Sequence, residues 1–261
     1  MTAIFRNEAR RHVRGSLILS GIFGILAVFF LAVFPAFKDE AATLEAAMPE
    51  HMFTLLGFEE IHSIEGFTAG YIMSLTWVLF LGVYFAYLAG GLVARDIKTR
   101  KMDLTLSYPV SREALLLQKV SAFVVPIILL SVTFGLVLFG GVHLIGESLS
   151  LIPLIMLFVL SVPYLLVCTA VGLLFSVVLQ RVETAQMGAL GVIFLLWLLD
   201  GLTELEPDFA WIGDLSPTRY YDPNDILIHE TYAYGDAGIL LIAFFVILGS
   251  AIVWFNRRDI S

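Results

Sequence analysis

The sequence predicts an all-α integral membrane protein with six transmembrane helices, an interfacial helix at the amino terminus and a short helix in the loop between helices 2 and 3. Long runs without Asp, Glu, Lys or Arg, an apolar share of 59% with mean hydropathy +0.91, and a one-sided distribution of basic residues all point there. Such a composition lies well outside that of soluble domains. None of the apolar runs alternates in polarity, which excludes a β-barrel.

The charge-free runs are 15–37, 66–94, 120–146, 148–180, 184–199 and 237–256. A membrane helix needs roughly 20 predominantly apolar residues, so helices are expected at 16–37, 68–93, 120–145, 151–179, 184–202 and 237–256, in a single transmembrane domain spanning 1–261. The fifth run is short unless Asp200 lies at the outer edge of its helix. With both termini inside the cell, 13 of the 15 basic residues fall on the cytoplasmic side, leaving only Lys38 and Arg219 outside. That asymmetry is what orients membrane proteins. The outer segments 38–67 and 203–236, with Glu147 and Asp200, hold 17 of the 23 acidic residues. An exterior at high salt and ordinary solvated loop faces both account for this skew.

In order along the chain, residues 1–15 place Phe5, Ala9 and Val13 on one stripe and Arg6, Arg10 and Arg14 on the next. This is the pattern of a helix lying in the interface plane with its arginines near lipid headgroups. The following run is longer than a signal peptide's and lacks a small-residue cleavage site, so it is expected to be retained. The first span is expected to end near Phe34 and Pro35. In the first outer segment Met52, Phe53, Leu55, Leu56 and Phe58 are apolar enough to pack on the membrane or a partner. Its His51, Glu59, Glu60 and His62 lack the spacing of a metal motif.

The segment 94–119, ARDIKTRKMDLTLSYPVSREALLLQK, carries six basic residues against three acidic ones. Asp96 with Arg100, and Thr99 with Asp103, stand four apart and would share one face of a short helix. Tyr108 and Pro109 then break the chain. Ser111 stands where an N-cap belongs, with Glu113 near the positive helix end. The composition fits either a docking element or an ordinary basic loop.

Further on, Pro126, Pro153 and Pro163 permit bends, and the short 146–150 turn makes helices three and four a hairpin. His143 is expected at the outer interface. Asp200 is either a functional acid at a gate or pathway, or a snorkelling residue at the outer interface. Asp222 and Pro223 match the cap and first residue of a short outer helix. Cys168 is the single cysteine, so no intrachain disulfide forms.

No GxxxxGK[ST], GxSxG or HExxH occurs, and the spans hold no paired acids. No cofactor or metal is called for, and nothing suggests nucleic acid; any energy source must belong to another polypeptide. An intramembrane enzyme such as a protease would have to use Glu59, Glu60, His62 and His143, which share no helix face inside the bilayer. A non-transporting anchor for a cytoplasmic partner is the other alternative.

The basic amino terminus, the six helices, SYPVSREALLLQK and the outer MPEHMFTLLGFEEIHSIEGF together resemble the permease subunits of ABC transporters, specifically the ABC-2 type exporters. Pro109, Ser111, Arg112 and Lys119 match that family's loop pattern. Asp96 supplies its acid, while Thr99, Arg100 and Lys101 replace a glycine-containing turn. The resemblance implies a non-catalytic exporter subunit in the cytoplasmic membrane, in contact with lipid and paired with a second permease subunit as a homo- or heterodimer. It further implies a separate ABC ATPase docked through a coupling helix, with Asp96, Thr99, Arg100, Asp103 and Arg112 as docking residues and Arg6, Arg10 and Arg14 on the interfacial helix beside them. The outer segment 203–236 stands where the family has external gate helices. The substrate is not legible in these residues.

Overall fold

The computed structural model describes residues 3–47, 59–100, 111–203 and 207–257. Among them the chain is helices joined by turns, without strands, and six helices are long and apolar enough to cross a membrane. The first is α1 (Ala3–Ala47). The second span is compound: α2 (Ile64–Phe67), a π-helical stretch (Thr68–Leu81), α3 (Gly82–Gly90) and, after a turn, α4 (Ala94–Lys98). The third consists of α5 (Arg112–Ser121) and α6 (Val124–Leu144). Then follow α7 (Leu151–Val178), α8 (Val182–Thr203), the short α9 (Ala210–Gly213) and α10 (Pro223–Leu227), and α11 (Tyr234–Arg257).

The second and fourth spans form the centre. In their most apolar windows 72% and 61% of residues are buried, against 28% or 39% in the other four. Helix α7 packs against α3, α6, α8, α10 and α11, and α1 lies along α6. The outer surface of this bundle is itself apolar: Ile25 is 74% exposed, Leu136 68%, Ile152 69% and Ile242 67%. In water such a surface would be untenable, but against hydrocarbon it is what the solvent demands. The chain is therefore a multi-pass membrane protein, and six crossings put both termini on one side, called here the terminal face.

The first candidate span, Glu8–Lys38, ends near the expected residue, but its helix is longer than the span. Pro35 does not end the first helix; α1 continues through it to Ala47. Phe34 and Phe37 pack on Phe67 at ring distances of 5.0 and 5.4 Å, holding the helix across the missing amide. Nor does a turn set residues 1–15 apart. Ser16 Oγ donates to the His12 carbonyl at 2.9 Å, and the helix runs from Ala3 into the span without interruption. At 45 residues α1 is about 68 Å long, more than twice a hydrocarbon core of roughly 30 Å. The fifth helix extends beyond its charge-free run at both ends, to Val182 and Thr203.

The π-helical stretch is the least regular part of the core. Ser74 Oγ donates five residues back to the Ala69 carbonyl at 3.0 Å, reflecting the wider winding. Where it gives way to α3, the buried Tyr164 hydroxyl donates to the Val78 carbonyl at 2.8 Å. Gly82 makes room for that hydroxyl, because a Cβ there would run into it. π-Turns in transmembrane helices survive when neighbours bond the displaced carbonyls. We expect Gly82→Ala to destabilise the protein by about 1–3 kcal/mol. In a Tyr164→Phe background the cost should shrink, giving a coupling energy of at least about 0.5 kcal/mol in a double-mutant cycle of thermal unfolding.

Candidate functional site at the terminal face

The break in the second span creates the site. After Gly90 the helix loosens through 91–93, freeing backbone amides inside an apolar protein. Ser176 of α7 takes two of them: its Oγ accepts from Val93 N at 2.9 Å and from Ala94 N at 3.0 Å. One buried hydroxyl thus restarts the chain as α4 and binds it to the central helix. Gly90 lets α8 come equally close, since a Cβ would stand 2.9 Å from Gln186 Cα. Gln186 Nε2 in turn donates to the Tyr87 carbonyl at 3.2 Å.

Helix α4 is short but carries Asp96 inward. Asp96 is 8% exposed and its Oδ2 lies 2.5 Å from Lys119 Nζ, on α5. Lys119, 3% exposed, also reaches Glu8 Oε1 of α1 at 3.0 Å. A single ammonium therefore joins three segments: the first turns of α1, α4 and the start of the third span. Burial of three charges is costly unless geometry and hydrogen bonding are good, and removing the shared partner leaves the other two uncompensated. Ser111 caps α5 as its sequence position suggests, accepting from Ala114 N at 3.2 Å. That cap sets the helix phase that turns Lys119 inward.

The other candidate residues lie around this hub. Thr99 and Arg100 are exposed at the end of α4, with Lys98 beside them in an exposed pair with Glu183 at 2.7 Å. The helix ends at Lys98 instead of continuing, and Arg100 takes a left-handed conformation with φ +55°. Asp96 and Arg100 thus do not share a helical face: one points into the hub, the other into the open. Thr99 Oγ1 closes the end of α4 on the Arg95 carbonyl at 2.9 Å. Asp103, with Lys101 and Pro109, lies outside the described residues. Arg112 turns back to the chain terminus, donating to the Phe255 carbonyl at 3.1 Å and standing 5.7 Å from the Phe255 ring. Next to it, Asn256 Nδ2 donates to Glu113 Oε1 at 2.9 Å. Arg6, Arg10 and Arg14 are all exposed along α1, while Glu8 and Ala9 face the bundle.

At the opposite end Asp200 turns its carboxylate into the protein. It is 8% exposed; Oδ2 accepts from the Thr218 hydroxyl at 2.5 Å, and Arg219 lies 3.9 Å from Oδ1. Asp200 thereby ties α8 to the 3-10 turn Pro217–Tyr220 in the second outer segment. Asp222 caps α10 through Asn224 N at 2.8 Å. Of the groups an intramembrane enzyme would need, Glu59 pairs with His229 at 3.2 Å, while His143 bonds its own helix at the Phe139 carbonyl, 2.9 Å away. Among the described residues no group of three His, Cys, Asp or Glu side chains stands together to hold a metal; His51 lies outside them.

Sequence reasoning missed Glu8, Ser176, Gln186 and Tyr164. Glu8 alone had a signal: it is the sole acidic residue before Asp39, an odd choice amid four arginines. The serine, glutamine and tyrosine are unmarked in a linear reading.

The chain is a six-helix membrane bundle with a buried polar hub at the face bearing its termini. The family described as ABC-2 family transporter protein matches residues 2–260, and the chain belongs to it. It is a membrane permease of an ABC transporter. No curated protein matches the chain.

Two outcomes follow. Lys119→Met should cost about 3–5 kcal/mol by leaving two buried carboxylates unpaired. Adding Glu8→Gln and Asp96→Asn should recover much of that loss, as read by thermal unfolding in detergent. Arg100→Gly should leave the fold intact or stabilise it by up to about 1 kcal/mol, because glycine takes the left-handed conformation without steric cost. Arg100→Val should have the opposite sign.

Proposed function

We propose that this chain is the membrane-spanning subunit of an ATP-driven exporter, that a separate ABC ATPase supplies the hydrolysis, and that the ATPase docks on the 94–119 loop. In this reading both termini, the loop and the Arg181 turn face the cytoplasm, in keeping with the 13 basic residues carried by those segments. Two permease subunits pair, identical or not, and the exposed Arg6, Arg10 and Arg14 stripe of α1 meets lipid headgroups beside the docked ATPase.

The observation that carries the proposal is the contrast along the stretch from Val93 to Arg100. Asp96 is locked to Lys119 and Glu8, and the start of α4 is locked to Ser176. Lys98, Thr99 and Arg100, one turn away, are exposed. A force applied to that exposed tip acts on α1, on the third span and on α7 together, because the hub ties them to one short helix. Arg100 and Thr99 then form the docking surface with Asp103, Asp96 positions them, and Arg112 anchors the far end of the loop on α11. Asp200 belongs to the exit side, where it holds the outer segment to α8.

The test is co-purification. The tagged chain is expected to bring down a polypeptide with a phosphate-binding loop and to stimulate its ATPase activity. Arg100→Glu should lower both by about tenfold, the weight of one interfacial charge contact. Thermal unfolding of the membrane subunit should stay within about 0.5 kcal/mol of the parent. Undiminished binding and stimulation in Arg100→Glu would remove Arg100 from the interface.

A further inference from the structure

Between the first turns of α1 and the inner end of α3 lies a cavity of about 150 Å³, the size of an engineered cavity that accepts benzene. This one is mixed. Glu8, Arg11, His12, Tyr84 and Arg95 line it together with the apolar Leu88 and Leu92 and two glycines. Lys119 occupies only one oxygen of Glu8. The other, Oε2, is fully buried and has no hydrogen-bond partner, although the residue is just 7% exposed. Arg11 at 3.8 Å and His12 Nε2 at 4.0 Å are within ion-pair range of that oxygen but too far to bond it. His12 Nε2 is likewise buried without a partner. Both atoms belong to residues that line the cavity, and buried polar atoms left unmet call for a partner.

Its chemistry follows from the lining. His12 apart, the cavity and the hub behind it hold three cations (Arg11, Arg95, Lys119) and two carboxylates (Glu8, Asp96). One positive charge is left over. A singly charged anion balances it, and two guanidinium forks favour phosphate oxygens. Glu8 Oε2, by contrast, requires a donor, so the ligand must carry a hydroxyl or amine as well. The site lies where the span begins: one turn further along α1, Leu17 is 53% and Ile18 58% exposed, as suits contact with hydrocarbon.

We propose that this cavity binds a phosphate ester bearing a hydroxyl, as in the headgroup of an anionic phospholipid. Arg11, Arg95 and Tyr84 hold the phosphate, and the hydroxyl donates to Glu8. The ligand thereby completes the coordination of the same carboxylate that fixes Lys119 and Asp96, so lipid occupancy stiffens the hub. This assignment stands independently of how an ATPase docks.

The full-length chain is placed in phosphatidylcholine nanodiscs with and without phosphatidylglycerol, and retained lipid is read by native mass spectrometry alongside thermal unfolding. Phosphatidylglycerol should be retained preferentially and should raise the unfolding temperature. Arg11→Gln with Arg95→Gln should weaken retention by about tenfold or more and abolish the shift, while unfolding in phosphatidylcholine alone reports that the variant is folded. Arg181→Gln, an exposed cation at the inner turn between α7 and α8, should change neither. Glycerol 1-phosphate added to phosphatidylcholine discs separates the sources: a shift lost in the double variant supports the phosphate site and assigns it to a soluble ester. Absence of any selective effect from either compound overturns the proposal, as does an equal loss of retention in Arg181→Gln, which would reduce it to general surface charge.

Discussion

Everything at the terminal face depends on one ammonium group. Lys119 is almost wholly enclosed and serves two carboxylates that come from segments 23 and 111 residues away in the chain. Such an arrangement contributes little net stability, because the desolvation of three charges offsets much of their attraction. Its value is geometric. An ion triad has few alternative solutions in an apolar setting, so α1, α4 and α5 can meet in only one register. Once they have met, the end of α4 has a defined direction, and the exposed residues beyond it acquire a fixed place relative to the bundle.

The rest of the construction is a backbone problem. A membrane helix that breaks must find partners for every amide it frees, and the second span breaks or rewinds twice. Near its middle the Tyr164 hydroxyl meets a carbonyl displaced by the π-helical winding, and Gly82 leaves space for it. At its inner end Ser176 meets two amides. Both partners come from α7, which explains why the second and fourth spans are the buried pair. The polar groups that repair one helix are the ones that make the other central. The outer end follows the same logic with Asp200, whose carboxylate engages Thr218. A short surface element is thereby kept on α8.

These devices divide the chain into a rigid centre and two polar ends, each held by a carboxylate at the edge of the apolar zone. For a permease this is a useful division. In the function proposed above, motion imposed on one end would pass through α7 and the second span, which pack and hydrogen-bond to each other. The cavity beside Glu8 sits at the junction of that centre with the terminal face, where occupancy bears directly on the hub.

Much of this was legible in the residues taken one after another. The six spans follow from unbroken apolarity, and the caps at Ser111 and Asp222 follow from rules that involve only the next few residues. The sequence by itself also marked 94–119 as exceptional, through its charge and its proline. What it could not decide was direction. Asp96 and Arg100 look alike as charged residues four apart, yet one is buried and the other exposed, because the helix ends between them and Lys119 lies on one side only. Arg112 reads as a loop cation until Phe255 is brought beside it, and Pro35 reads as a stop until aromatic packing carries α1 past it. Periodicity reports which residues avoid water and local chemistry reports where a helix starts. Which distant group satisfies a buried charge or a freed amide is settled only when the helices pack, since that choice depends on distances the linear chain does not contain.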